Sequence, residues 1–100
     1  MTDNKVYDSG YIKQLIEPVF RENKVRTAYL FGSYAKGMAL ADSDVDILVD
    51  SGLTGLDFVG LIENLREALN KNVDVIDVKY CNQDSALLVE IMQTGVKIYG

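Results

Sequence analysis

Two aspartates, Asp44 and Asp46, are the side chains of this sequence best suited to chemistry. They stand one residue apart at the start of an apolar run, and ten residues separate them from Gly32-Ser33, which ends an earlier apolar run. Because successive side chains of a strand point to opposite faces, the two carboxylates point the same way, with Cα atoms about 7 Å apart. Carboxylate oxygens at this spacing can reach one shared divalent cation.

The glycine–serine pair predicts a phosphate-binding turn. A glycine followed by a hydroxyl residue, where an apolar run turns into a helix, offers bare backbone N–H groups to a phosphate. Together with metal-holding carboxylates, this turn indicates phosphoryl or nucleotidyl transfer. The alternative is a tight turn and a solvated strand edge, with Asp44 and Asp46 discouraging aggregation. Two like charges on one face of a strand destabilise it unless a cation neutralises them, and this favours the catalytic interpretation.

Hydrophobic periodicity predicts alternating helices and strands around these residues. Runs of β-branched and aromatic residues predict strands over 25–31, 45–49, 73–78 and 96–99. Apolar residues at helical spacing predict helices over 9–23 and 54–69, and a last helix that starts at position 82 or 84 and stops at 95. Residues 33–37 are predicted to form a short helical turn that ends at Gly37. This alternation implies one sheet with helices packed against it, although it fixes neither strand order nor strand direction.

Individual residues are predicted to cap, stop or disturb these helices. Pro18 should kink the first helix or divide it into two turns. Apolar residues at helical spacing, among them Leu56, Val59 and Met92, are assigned to the core ahead of a partner surface. The residues expected to cap or stop a helix are Thr54 with Asp57, Asn82 or Asp84, and Gly95.

Length and composition limit the possible classes of protein. The 100 residues suit a single domain over 1–100 with one core. The net charge of −5 disfavours long duplex nucleic acid, and the absence of histidine excludes histidine-activated nucleophiles and histidine-bound zinc. The single cysteine, Cys81, excludes an internal disulfide and fits a reducing cytoplasm. No segment is apolar enough to span a membrane, and the N-terminus is too polar for a signal peptide.

A family resemblance is carried by two segments, Leu-Phe-Gly-Ser-Tyr-Ala-Lys-Gly at 30–37 and Ser-Asp-Val-Asp-Ile-Leu-Val at 43–49. They resemble the signature of the DNA polymerase beta superfamily of nucleotidyltransferases, and in particular its minimal members, which keep only the catalytic core. The resemblance covers nearly the whole chain. It implies the nucleotidyltransferase fold, an α/β (α+β) domain with a small mixed sheet of about four strands and helices packed on it.

The resemblance also implies a reaction. A hydroxyl attacks the α-phosphate of a nucleoside triphosphate, with ATP the expected donor, and pyrophosphate leaves. Two magnesium ions about 3.5–4 Å apart would clamp the attacking and leaving oxygens. Asp44 and Asp46 are expected to hold both ions, while Gly32 and Ser33 bind the β- and γ-phosphates. Lys36 is expected to assist as a point charge, or else to be a solvated lysine on an exposed turn.

A third carboxylate is expected on the neighbouring strand, where it would complete the catalytic metal site and receive the acceptor's proton. Asp74 and Asp77 compete for this role, and alternation places them on opposite faces. The family's pattern has the carboxylate after the first valine of this strand, which favours Asp74 and leaves Asp77 as a polar residue at the strand end. Tyr34, in the phosphate turn, is expected to pack in the protein rather than face the nucleotide.

The resemblance implies a protein partner as well. Minimal nucleotidyltransferases are typically paired with a small helical HEPN-domain protein. In such toxin–antitoxin pairs the nucleotidyltransferase, as antitoxin, adds adenylate to a tyrosine of the HEPN ribonuclease. Two alternatives stay open: an enzyme that modifies a small molecule or an RNA end, and a non-catalytic module that masks a partner's surface. Homo-oligomerisation is also left open.

Overall fold

Residues 6–82 and 85–100 are described by the structure, a computed structural model. Helices and strands alternate along them as predicted. The helices are α1 (Ser9–Glu22), α2 (Gly32–Ala35), α3 (Gly55–Leu69) and α4 (Ala86–Thr94), and the strands are β1 (Thr27–Phe31), β2 (Val45–Asp50), β3 (Val73–Asp77) and β4 (Val96–Tyr99). A 3₁₀ turn, Val78–Tyr80, follows β3.

The strands of the described chain form one mixed sheet in the order β3-β2-β1-β4. β1 runs antiparallel to both β2 and β4, whereas β2 and β3 are parallel. Parallel neighbours need a long crossover connection, and α3 supplies it between β2 and β3. The mixed sheet with packed helices confirms the fold that the family resemblance implies.

The core lies between one face of the sheet and the helices α1 and α3, which pack side by side on it. Its helix side consists of fully buried residues four apart: Ile12, Ile16 and Phe20 of α1, and Leu61, Leu65 and Leu69 of α3. Its sheet side consists of alternate residues: Ala28 and Leu30 of β1, and Val45, Ile47 and Val49 of β2. Burying each large aliphatic side chain contributes roughly 1.5–3 kcal/mol. The opposite sheet face, to which Asp46 belongs, is left to α4 and the candidate site.

Pro18 does not divide α1, which continues as one helix from Ser9 to Glu22. The predicted division into two turns is therefore wrong. Buried residues lie on both sides of the proline, Ile16 before it and Phe20 after it, so packing on the core holds both halves in one helix. Pro18 itself lies on the exposed side of the helix.

The helix caps differ in part from the prediction. Ser85 caps α4, because its Oγ accepts the backbone N–H three residues further on at 3.2 Å. Asn82 as the cap is therefore wrong, and Asp84 lies outside the described residues. Thr54 occupies the N-cap position of α3, but its side chain makes no capping hydrogen bond, so the predicted capping box is also wrong. Gly95 ends α4 as predicted, where a side chain would collide with the helix's own last-turn carbonyl.

Three apolar residues predicted to belong to the core lie on the surface instead. Leu56, Val59 and Met92 are 87%, 52% and 63% exposed. In α3 the buried stripe follows Leu61 and the residues four apart from it, so Leu56 and Val59 fall on the outer side of the helix. No helix in the described ranges is both long and apolar enough to cross a membrane.

Candidate active site

Two of the predicted carboxylates, Asp46 and Asp74, are neighbours across the sheet. They are register partners in the parallel pair of β2 and β3, so their side chains share a face and their strands lie about 4.8 Å apart. Asp44 precedes β2 by one residue and is exposed, as is Asp74. All three stand where β2 and β3 begin. The carboxylates predicted from two separate segments are thus brought together at the edge of the sheet where β2 and β3 begin.

Asp46 is the electrostatic centre of this group. Its partial burial raises the pKa of its carboxyl above the usual value, because desolvation penalises the charged form. The negative charges of Asp74 and then Asp44 raise that pKa further. The carboxylates therefore repel one another through space, and a cation placed among them would relieve the repulsion.

Gly32 brings the phosphate turn into contact with Asp46. Its φ of +69° lies in the left-handed region that favours glycine. A Cβ atom at this position would collide with the carboxylate of Asp46, far inside van der Waals contact. The approach follows from the sheet, because Phe31, the residue before Gly32, is the register partner of Asp46. The Gly32 backbone therefore packs against the carboxylate of Asp46, and a side chain at position 32 would have to displace that carboxylate or the turn.

Ser33 and Lys36 belong to the short helix α2 and the turn after it. The carbonyl of Ser33 accepts the N–H of Met38 at 2.9 Å, which closes the turn. The ammonium of Lys36 makes an ion pair with Glu90 of α4 at 2.5 Å, and both side chains are about half exposed. Glu90 was not anticipated, because nothing in the sequence links two residues that lie 54 positions apart.

Asp77, the competitor of Asp74, is directed to the other side of the sheet. It is 2% exposed and accepts hydrogen bonds from the Ser51 hydroxyl and from the backbone N–H of Lys79, the latter at 3.1 Å. It caps the 3₁₀ turn that follows β3. The structure therefore places Asp74 beside Asp46 and gives Asp77 hydrogen bonds that hold the chain after β3.

Tyr34 packs in the core, as predicted, and is 6% exposed. Its buried hydroxyl has no hydrogen-bond partner among the described residues. The ring therefore fixes α2 against the core through apolar contact rather than through its hydroxyl.

The candidate site offers carboxylate oxygens as donors to a divalent cation. Across residues 6–82 and 85–100, no three histidine, cysteine or acidic side chains are grouped closely enough to hold a metal ion as they stand. The donors are nevertheless of the right chemical type, because Mg²⁺ takes hard carboxylate oxygens together with phosphate oxygens and waters. Asp44, Asp46 and Asp74 therefore suit magnesium by donor type, and a bound cation would offset the charges that Asp74 and Asp44 place near Asp46.

A family model described as "Polymerase beta, Nucleotidyltransferase" matches residues 13–100. The chain belongs to this nucleotidyltransferase family. The match spans every candidate residue of the site, from the Gly32 turn to Asp74. The resemblance drawn from segments 30–37 and 43–49 is thereby confirmed, and so is the expectation of a nucleotidyltransferase enzyme.

The chain is also similar in sequence to a curated protein adenylyltransferase. The chain is 32% identical over 87 residues to the protein adenylyltransferase MntA of Shewanella oneidensis, in a match that covers 82% of this chain and 60% of MntA. This nucleotidyltransferase thus spans about 60% of the length of that curated relative.

Solved structures share the fold. A chain of a toxin–antitoxin complex crystallised with AMP-PNP has a TM-score of 0.75 at 29% identity, covering 88% of this chain and 73% of that one. A chain of the tri-AMPylated Shewanella oneidensis HEPN toxin in complex with MNT antitoxin has a TM-score of 0.69 at 26% identity, covering 92% and 72%. The sheet and helices described above are therefore the architecture found in these complexes.

Proposed function

We propose that this nucleotidyltransferase is an antitoxin-type protein adenylyltransferase, which transfers AMP from ATP to a tyrosine hydroxyl of a HEPN-domain partner. The observation that carries the proposal is the pairing of Asp46 with Asp74 across β2 and β3, against the Gly32 turn. The names of MntA and of the AMPylated HEPN toxin complex support this choice of acceptor. A cytoplasmic location, where ATP and reduced thiols are found, is part of the same proposal.

The carboxylates divide the work of the reaction between them. Asp44, Asp46 and Asp74 would hold two magnesium ions, which when bound neutralise charge on the triphosphate and on the attacking and leaving oxygens. Asp74, which is exposed on the edge strand β3, receives the proton of the acceptor hydroxyl. The acceptor oxygen bonds to the α-phosphorus, the bond to the bridging oxygen breaks, and pyrophosphate leaves.

The turn after β1 orients the triphosphate for this displacement. The backbone N–H groups of Gly32 and Ser33, with the Ser33 hydroxyl, bind the β- and γ-phosphates. Because Gly32 touches the Asp46 carboxylate, the phosphates and the acidic group are held at a fixed separation. Lys36 adds a positive charge on the same side only if its ammonium leaves Glu90. Holding reactants in such a fixed geometry is itself a large part of catalysis.

The experiment pairs the purified chain with a HEPN-domain protein as acceptor, in the presence of magnesium and ATP labelled at the α-phosphate. We expect label on the HEPN protein. The label should be absent when the tyrosines of that protein are replaced, and absent when this chain carries Asp46→Asn. Asp57→Asn, the same chemical change in the exposed first turn of α3, serves as the matched control and should transfer normally. Label found only on a small molecule or an RNA end would contradict the proposed acceptor.

A further inference from the structure

An apolar groove continues the sheet face that carries Asp46 and Asp74. It encloses about 540 Å³ between the sheet and α4. Its floor is formed by Tyr29 of β1 and Leu48 of β2, one wall by α4, and the opposite wall by Val78 of the 3₁₀ turn. The wall residues of α4 are Leu88, Val89 and Met92.

The groove begins one side-chain pair away from the candidate site. Tyr29 is the register partner of Leu48, and the next pair on the same face, towards the carboxylates, is Phe31 with Asp46. Two residues along a strand correspond to about 7 Å. A side chain lying over Leu48 is therefore about 7 Å along the strand from Asp46, so a chain that extends from the groove towards the start of β2 would come to the carboxylates.

The lips of the groove are apolar and uncovered. Met92, Val89 and Val78 are 63%, 49% and 37% exposed, and all three line the groove. Apolar side chains grouped around a cleft mark a surface that binds another apolar molecule. A triphosphate does not fit this description, because burying phosphate charge among such side chains is strongly unfavourable.

Charge at both ends of the groove narrows the choice of occupant. Asp44, Asp46 and Asp74 stand beyond one end, at the start of β2 and β3, and Asp50 lines the other end. The Arg26 guanidinium lies 3.6 Å from Asp50, but its side chain is 71% exposed, so it compensates this charge only weakly. An apolar segment with basic residues beside it complements such a surface.

We infer that the groove binds the segment of the acceptor protein that carries the modified hydroxyl. Apolar side chains of this segment lie over Tyr29 and Leu48, its hydroxyl lies towards Asp74, and its basic residues lie near the acidic ends. The inference rests on the proposed function and names the acceptor's chemistry. The adenine base is the competing occupant. A base would find Thr27 and Asp50 at the end of the groove distant from the carboxylates, and Gln93 of α4 elsewhere in its lining. The apolar floor and lips favour the acceptor segment over the base.

The test replaces one lip residue and one matched residue outside the groove. Met92→Lys puts a positive charge at the groove, while Leu56→Lys makes a comparable change on the exposed side of α3; both positions are exposed, so folding should survive. With a HEPN-domain protein that the parent chain labels as acceptor, we expect Met92→Lys to raise the acceptor KM by about tenfold or more. Leu56→Lys and the conservative Met92→Leu should stay within about twofold, and all three should bind ATP normally.

The outcomes distinguish a failure of the groove inference from a failure of the proposed function. If Met92→Lys matches Leu56→Lys, the groove does not bind the acceptor, and the proposed function stands without this inference. If Met92→Lys weakens ATP binding and leaves the acceptor KM unchanged, the groove belongs to the adenine and the inference is wrong. If the unsubstituted chain labels no protein at all, the proposed function fails first, and the inference that rests on it fails with it.

Discussion

Gly32 lies directly against the carboxylate of Asp46, so closely that no side chain fits between them. The contact joins the end of β1 to the start of β2 at the point where their register pairs Phe31 with Asp46. A phosphate held by the turn and a cation held by the carboxylate would therefore keep one fixed relation. The positive φ of Gly32 and this contact both favour glycine, for independent reasons.

We expect Gly32→Ala to impair catalysis far more than stability. A non-glycine residue in the left-handed region is strained by about 1–2 kcal/mol, and the new methyl group must displace either the turn or Asp46. Small displacements of reacting groups can lower a rate by about 100-fold, so kcat/KM for transfer should fall by at least this factor. The loss is measured with labelled ATP, and stability is measured by thermal unfolding.

Gly60→Ala is the matched control for this glycine. Gly60 lies inside α3 with open space where a Cβ would stand. An alanine there should stabilise the helix by about 0.5–1 kcal/mol and leave transfer unchanged. Equal activity of the two variants would contradict the assigned role of the Gly32 contact.

Replacing Asp74 should lower transfer activity, whereas replacing Asp77 should lower the stability of the fold. Asp74→Asn removes the carboxylate beside Asp46, so transfer should fall by about 100-fold or more while thermal stability is kept or raised. Asp77→Asn leaves one acceptor oxygen for two donors, the Ser51 hydroxyl and the Lys79 N–H. The free energy of unfolding should then fall by about 1–3 kcal/mol with transfer largely retained in the folded protein. The reverse ranking in the transfer assay would show that Asp77 is the catalytic residue.

Local patterns predicted the parts of the site that depend on neighbours in the chain. Alternation along β3 was enough to place Asp74 and Asp77 on opposite faces, and the glycine–serine pair was enough to predict a turn after β1. The same reasoning failed for Leu56 and Met92, because helical spacing shows that a stripe is apolar but not which side of the helix meets the core.

Contacts between distant segments could not be predicted in this way. The register that pairs Asp46 with Asp74 depends on the parallel arrangement of β2 and β3, which no local pattern specifies. The groove likewise exists only because α4 returns to the sheet beside Tyr29, and the sequence shows that helix only as an apolar stripe.

The stability of the protein should depend on the ionisation of Asp46. Because burial and the charges of Asp74 and Asp44 hold the pKa of Asp46 above 3.8, the folded state keeps its proton to higher pH than the unfolded state. The folded state then binds more protons in the window just above this pH, so the free energy of unfolding falls as pH rises through it. Relative to the parent chain, Asp46→Asn should therefore gain stability as pH rises through the window and keep that gain at neutral pH.

Urea unfolding from about pH 3.5 to about pH 7 measures this difference. Asp57→Asn, in the exposed first turn of α3, is the control that should show no such gain. Adding magnesium with a non-hydrolysable ATP analogue at neutral pH should stabilise the parent chain and not Asp46→Asn, because the ions bind the folded carboxylates. The parent and Asp46→Asn could instead differ in stability by the same amount at every pH. This result would contradict the predicted repulsion of ionised Asp46 by Asp74 and Asp44.

Glu90 should weaken nucleotide binding by holding Lys36. The 2.5 Å ion pair is half exposed, so it is worth at most about 1 kcal/mol, and breaking it should change affinity by no more than about fivefold. We expect Glu90→Gln to strengthen ATP binding within this limit, because the freed Lys36 ammonium reaches the triphosphate. Lys36→Ala should weaken ATP binding, because it removes that ammonium. Glu63→Gln breaks the comparably exposed ion pair with Arg66 on α3 and should not change ATP affinity.

Titrations of ATP binding at low salt make the difference between these variants largest, since salt screens exposed charges. Unchanged affinity in both Glu90→Gln and Lys36→Ala would leave Lys36 as a surface residue whose ion pair with Glu90 only ties the phosphate turn to α4.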